Sequence, residues 1–221
     1  TLDARLMNRL AFRPDVERWW EYSWVFHGVN SGKRSITLDL ESDTGKELFG
    51  RLVAGADVVV ENFTPRVMEN FGLDYATLKG FNERIIMVRM PGFGLDGPWR
   101  DRVGFAMTME QLGGPAWLTG YADGLPTAPR GACDPLAGIH AAFLTIAACE
   151  YRRRTGRGQL VEVPMIDVVL NASALQVITR DTSGALLTRR GNRGHELAVQ
   201  NVYACAGVEQ WIAVSVRDDD D

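Results

Sequence analysis

The residue best placed for chemistry in this chain is a carboxylate, Asp167. It closes the run Arg154-Thr155-Gly156-Arg157-Gly158-Gln159-Leu160-Val161-Glu162-Val163-Pro164-Met165-Ile166-Asp167, which reads as a basic glycine turn, a short strand, and an acid on the first turn of the next helix. Such an acid has a structural reading: the positive end of the helix dipole stabilises it by about 0.3–1 kcal/mol. It also has a chemical one. The same field keeps the carboxylate ionised and directs backbone N–H groups toward developing negative charge, which suits a covalent nucleophile. On the residues alone, the structural role is the simpler.

A second segment, Val58-Val59-Val60-Glu61-Asn62-Phe63-Thr64-Pro65, places Asn62 and Phe63 at the carboxyl end of a predicted parallel strand. Open α/β sheets bind ligands at that edge, although Asn and Pro also serve as ordinary turn residues. Other motifs carry less. Gly92-Phe93-Gly94-Leu95-Asp96-Gly97 fits GxGxxG after a strand, but Pro98-Trp99-Arg100-Asp101 follows instead of an amphipathic helix, so a dinucleotide site is not expected. Asn30-Ser31-Gly32-Lys33-Arg34-Ser35 resembles half a P-loop, with His27 where its first glycine belongs and Arg34 in place of the hydroxyl residue. The arginines of Arg152-Arg153-Arg154 fit a helix C-terminus that they complement electrostatically. His27, His140 and His195 form no spaced ligand set, and Cys133, Cys149 and Cys205 show no CxxC pattern. No metal site is expected, and the cysteines read as reduced core residues of a cytosolic protein.

The elements that must position these groups follow from periodicity. The tryptophans Trp19, Trp20 and Trp24 pack a surface segment with a short helix. Ser35-Ile36-Thr37-Leu38-Asp39-Leu40 alternates as a strand does. Thr44 and Glu47 form a capping box ahead of a helix with Leu48, Phe49, Leu52 and Val53 on one face. Strands at 58–60 and 85–88, with helices between, give the rhythm of a parallel sheet with crossover helices. Asp134-Pro135 opens a long helix, with Asp134 as its N-cap. That helix is apolar on most faces (Leu136, Ile139, Phe143, Leu144, Ile146, Ala147) and is expected to be largely buried. A strand at 160–163 and a helix over 165–180 follow, the helix facing the core with Ile166, Val169, Leu170, Ser173 and Val177. Segments 202–206 and 211–216 form a hairpin around Gly207-Val208-Glu209-Gln210. The acidic run 218–221 is a solvated end.

The segments around Asp167 and Asn62 together resemble the family III CoA-transferases, the CaiB/BaiF superfamily. The resemblance runs from about Asn30 onward and implies an α/β fold: a Rossmann-like parallel sheet with crossover helices, plus the beginning of a smaller second domain. It divides the chain into a CoA-binding domain over 1–180 and a linker with the start of the small domain over 181–221. It implies that Asp167 attacks an acyl-CoA thioester, forms a mixed anhydride, and later becomes an aspartyl-CoA thioester. Asn62, Phe63, Val67 and Leu38 would line the CoA site, with CoA as a substrate and a small carboxylic acid as acceptor. An arginine that some relatives carry near this site is replaced by Asn70, so phosphate binding would use other cations. The related acyl-CoA racemases carry a histidine where this chain has Phe105, an aspartate matching Asp134, and usually glutamate in place of Asp167. Phenylalanine cannot move a proton, so transfer is favoured over racemisation. Ala106 replaces an acid common in both branches. A non-catalytic CoA-binding fragment is the reading from another class. Relatives are longer, with a further strand and helix before Thr1 and most of the small domain after Asp221. They form interlocked homodimers.

Composition agrees with a globular protein. The 221 residues are 46% hydrophobic and 24% charged, enough for one large domain or most of two. The net charge of −4 argues against nucleic-acid or membrane-surface partners. No apolar run approaches the roughly 18–20 residues that span a bilayer, and the N-terminus resembles no signal peptide. A cytoplasmic protein is expected.

Overall fold

A computed structural model describes residues 17–193 and 199–216, without the side chains of Trp19, Trp20 and Trp24. The expectations for those three side chains, for His195 and for the run 218–221 therefore lie outside the described residues. The chain divides into two compact units, 1–39 and 40–221.

In the first unit a short 3-10 turn, Trp19–Tyr22, leads into helix α1, Trp24–Asn30. Ser23 caps it, its hydroxyl accepting the Phe26 N–H at 3.3 Å. The predicted strand at 35–40 is not formed; 33–39 is irregular and mostly exposed. Alternation makes a strand only where a neighbour supplies a hydrogen-bond ladder, and among the described residues no strand pairs with this segment.

The second unit is built on β-branched and apolar runs too short for helices. β1 (Val58–Glu61), β2 (Ile86–Arg89) and β3 (Gln159–Glu162) form a parallel sheet in the order β1-β2-β3. The register pairs Val58 with Ile86 and Ile86 with Gln159, ending on Glu61, Arg89 and Glu162 in one row. All of β2 is buried, as a central parallel strand covered on both faces must be. Its side chains alternate between two cores. Ile86 and Val88 join Val161, Val163, Val168 and Val169 on one face. Met87, with Ile85, joins Val53, Met68, Leu73 and Leu78 on the other.

Helices α2 (Asp43–Ala54), α3 (Pro65–Asn70) and α4 (Tyr75–Phe81) cover the second of these cores. The cap of α2 is Ser42, whose hydroxyl accepts the Gly45 N–H at 3.0 Å, not the predicted Thr44. Leu48 and Leu52 are exposed, and the inward face carries Gly45, Phe49, Gly50 and Val53. Starting two residues earlier rotates the cap away from Thr44. The chain continues through α5 (Ala106–Leu112) and α6 (Pro115–Leu118) to the long α7 (Cys133–Thr155).

Helix α7 differs from expectation at both its start and its faces. Ala132 is the N-cap, and Asp134 lies inside the first turn. The buried positions are Cys133, Ala137, Ala141 and Ala148. This narrow stripe of small residues lets the helix approach the sheet closely, and Leu136, Leu144 and Cys149 pack against the core beside it, partly buried. Ile139, Phe143 and Ile146 are 65%, 69% and 70% exposed. Gly156, at φ 74°, ends the helix and donates its N–H to Arg152 O at 2.8 Å. Gly158 then threads a tight passage, since a Cβ there would lie 2.0 Å from the Ile85 carbonyl oxygen.

The predicted helix over 165–180 is two, α8 (Met165–Ala172) and α9 (Ala174–Ser183). Buried Ser173 separates them at φ −101° and ψ 21°, its N–H shared between Val169 O and Leu170 O at 3.1 Å each. The break turns Val177 outward to 51% exposure. Strands β4 (Val199–Ala204) and β5 (Trp211–Val216) pair antiparallel from Val199–Val216 to Ala204–Trp211, the expected hairpin. Cys205, at its turn, is exposed and is not a core residue. Among the described residues no helix is long and apolar enough to cross a membrane.

Candidate active site

Parallel strands bring all their carboxyl ends to one edge, and there the chain continues as three loops. Hydrogen bonding outlasts the strands. Met90 N–H donates to Glu61 O at 3.0 Å, and Val163 N–H donates to Arg89 O at 2.8 Å. Beyond them Met165 N–H donates to Pro91 O at 2.9 Å and Ile166 N–H to Gly92 O at 3.1 Å. The first turn of α8 is thereby fastened to the loop after β2.

Asp167 lies in this first turn and is exposed. Among the described residues its carboxylate has no hydrogen-bond or ion-pair partner. The expectation that the helix offers free N–H groups beside it is corrected. Met165 and Ile166 spend theirs on the neighbouring loop, and the N–H groups of Asp167 and Val168 both go to Pro164 O, at 3.2 and 3.3 Å. The helix holds the acid and contributes its dipole, and none of its first-turn N–H groups is left free for a ligand.

Asn62 connects the same loops from the other side. Its Nδ2 donates to the Met90 carbonyl and lies 3.8 Å from Met165 Sδ. Phe63 is half exposed, and its N–H donates to Glu61 Oε2 at 2.7 Å. Val67 is half-buried in the first turn of α3. The structure thus places Asn62, Phe63 and Val67 around the end of β1, with Asn62 touching the helix of Asp167. Leu38 belongs to the other compact unit, half-buried on the irregular segment.

Two buried carboxylates here were not singled out from sequence. Glu61 and Arg89, 6% and 5% exposed, form an ion pair of 2.5 Å between Oε1 and Nε. The available signal was a charge closing each of two apolar strands, opposite in sign. Glu110, 1% exposed, accepts the N–H groups of Arg130, Gly131 and Cys133 at 2.9, 2.8 and 3.3 Å. It thereby satisfies donors at the start of α7, the work expected of Asp134. Cys133 in turn lies with Sγ 3.8 Å from Met165 O. Burial, with lesser contributions from Asp134 and Glu110, pushes the Cys133 thiol up to about 11. Burial, then Glu110, also raises the Asp134 carboxyl above its usual range.

The remaining motifs resolve structurally. Gly94 and Gly97 adopt φ 101° and 80° in a loop, and the next helix starts only at Ala106, so the GxGxxG run does not open a dinucleotide-binding helix. In that loop Leu95 N–H donates to Glu162 Oε1 at 2.6 Å. Arg152 donates to Asp57 Oδ1 at 2.8 Å, and Arg153 and Arg154 pair with Glu150. Arg100, which reaches the helix of Asn70, is bound to Glu69. Phe105 stands at the N-cap of α5, 56% exposed, and offers no group that could move a proton. Among the described residues no cluster of His, Cys, Asp and Glu could hold a metal ion.

A family model described as CoA-transferase family III matches residues 10–221. The chain belongs to CoA-transferase family III. It is 33% identical over 199 residues to the succinyl-CoA–L-malate CoA-transferase beta subunit of Chloroflexus aurantiacus, covering 89% of this chain and 49% of that protein. It is 38% identical over 159 residues to the formyl-CoA:oxalate CoA-transferase of Streptomyces avermitilis, covering 72% of this chain and 37% of that one. Among solved structures, a CaiB/BaiF family protein from Brucella suis superposes with a TM-score of 0.73 at 35% identity, over 78% of this chain and 46% of the other. This family III chain spans about half the length of the curated relatives it matches.

Proposed function

We propose that this chain carries the CoA-binding edge and the nucleophile of a CoA-transferase that moves CoA from an acyl-CoA donor to a small carboxylic acid. The observation that carries this reading is Asp167: an exposed, unpartnered carboxylate fixed at the sheet edge where Asn62 also sits. Its carboxylate oxygen attacks the thioester carbonyl carbon, the C–S bond breaks, and the electron pair leaves on CoA as a thiolate. The thiolate then attacks the aspartyl carbonyl of the mixed anhydride, releasing the donor acid and leaving an aspartyl-CoA thioester. The acceptor carboxylate displaces the thiolate again through a second anhydride. Attack of that thiolate on the acceptor's acyl carbon yields the new acyl-CoA and restores Asp167. Charge balances at each step, with no redox partner.

In this reading Asn62, Phe63 and Val67 contact CoA at the end of β1 and Leu38 contributes on the adenine side. Residues 1–180 form the CoA-binding domain, and 181–221 lead into a smaller one. Relatives named for succinyl-CoA with malate or citramalate, for succinate with glutarate, and for formyl-CoA with oxalate support small dicarboxylates as the acceptor class. We place the protein in the cytoplasm as a homodimer, its association supported by the exposed Ile139, Phe143 and Ile146 on α7.

The test is intact mass after incubation with succinyl-CoA and formyl-CoA, wild type beside Asp167→Ala. An acyl or CoA adduct on the wild type alone, removed by hydroxylamine, supports the mechanism. CoA binding without an adduct on either protein would replace it with a binding role.

A further inference from the structure

Glu61 and Arg89 end neighbouring strands in register and are almost wholly buried. Removing two charges from water costs about as much as their attraction returns, so a buried ion pair is weak evidence for stabilisation. Each partner has a second bond, and both bonds point the same way. Glu61 Oε2 accepts the Phe63 N–H at 2.7 Å, and Arg89 Nη2 donates to Pro65 O at 2.9 Å. These are the two ends of the turn from β1 into α3. Asn62, held between them and β2, reaches the Met90 carbonyl and Met165.

We propose that Glu61 and Arg89 are positioning residues for CoA: a buried clamp that fixes the Phe63–Pro65 turn and so presents Asn62 and Phe63 in one geometry. This role rests on the reading that Asn62 and Phe63 contact CoA. Arginine suits it because its planar fork serves the Glu61 carboxylate with one nitrogen and the Pro65 carbonyl with another. A lysine would supply the charge without the fork. Glutamate suits it because its two oxygens divide between Arg89 and the Phe63 amide.

A clamp and a simple core pair respond differently when both charges become apolar. The double variant Glu61→Leu with Arg89→Met removes the pair at similar volume, a change that buried pairs tolerate or gain from. It is expected to melt at or above the wild-type temperature. Its Phe63 amide exchanges with solvent faster, and calorimetric titration with CoA shows about tenfold weaker binding. Glu61→Gln combined with Arg89→Met, which retains an acceptor for the Phe63 amide with no guanidinium opposite the new NH2, recovers part of the affinity. Arg89→Lys is the second variant, for the case that the double variant does not fold. It keeps the charge and loses the fork, and is expected to bind CoA weakly at near-normal melting temperature. Wild-type affinity and Phe63 protection in the folded double variant, or in Arg89→Lys, would overturn the role. CoA binding absent from the wild type itself would overturn the site assignment and the CoA role with it. Phe63 exchange would then still report separately whether the pair clamps the turn.

Discussion

The side-chain amide of Asn62 lies 3.8 Å from the thioether sulfur of Met165, so the turn after β1 touches the helix that carries Asp167. The two segments most suggestive of chemistry, far apart in sequence, are thus neighbours at one sheet edge. Asn62 also bonds the Met90 carbonyl between them. Replacing it by Ala leaves that carbonyl near solvent and removes one ordered donor, at a cost of about 0.5–1.5 kcal/mol in stability. Urea unfolding checks the stability. Titration with CoA is expected to show roughly five- to tenfold weaker binding.

Asp167→Asn separates the two roles of an acid at a helix start. Loss of the dipole interaction costs about 0.3–1 kcal/mol, so the melting curve should move by only a few degrees. Adduct formation with acyl-CoA should disappear. A large drop in melting temperature would instead mark Asp167 as structural.

Gly158→Ala tests the close approach between the β3 entry and β2. The added Cβ would lie 2.0 Å from Ile85 O and 2.6 Å from the Arg84 carbonyl carbon. Backbone cannot yield as a side chain can, so overpacking should cost about 3 kcal/mol or more. Urea unfolding measures it directly.

The cysteines make a pH prediction. Burial pushes Cys133 up to about 11 against an ordinary value of 9.0, so the folded state holds this proton more tightly than the unfolded chain. The stability it contributes is complete below pH 9 and is lost as pH rises through about 11. Unfolding free energies measured from pH 7 to 11 should fall over that interval, less steeply in Cys133→Ala. At pH 8 a thiol reagent should label Cys205, which is exposed, and spare Cys133 until the protein unfolds.

Strands at 58–61, 86–89 and 159–162 and the hairpin were legible because apolar runs bounded by turns leave few alternatives. The edge that gathers Asn62 and Asp167 follows from parallel order alone. What was not legible depended on partners. The alternation of 35–40 says nothing about whether a neighbouring strand exists. Helix α7 is apolar around most of its circumference, so its sequence could not say that Ala137, Ala141 and Ala148 face inward and Ile139, Phe143 and Ile146 outward. The cap of α7 was assigned to Asp134, a local candidate, but Glu110 reaches it from another helix. Glu61 and Arg89 are likewise a long-range pair, visible only once the register is known.

The bonds from Met165 and Ile166 to Pro91 and Gly92 have a kinetic meaning. They tie the start of α8 to the loop after β2, so the backbone of Asp167 is held at the sheet edge. In the proposed mechanism a carboxylate held this way has already lost entropy that a bimolecular encounter would demand, which would raise its effective molarity toward a thioester bound at the same edge. Under that proposal the steadying of the tetrahedral intermediates falls to groups across the bound substrate, because the first-turn N–H groups of α8 are already engaged.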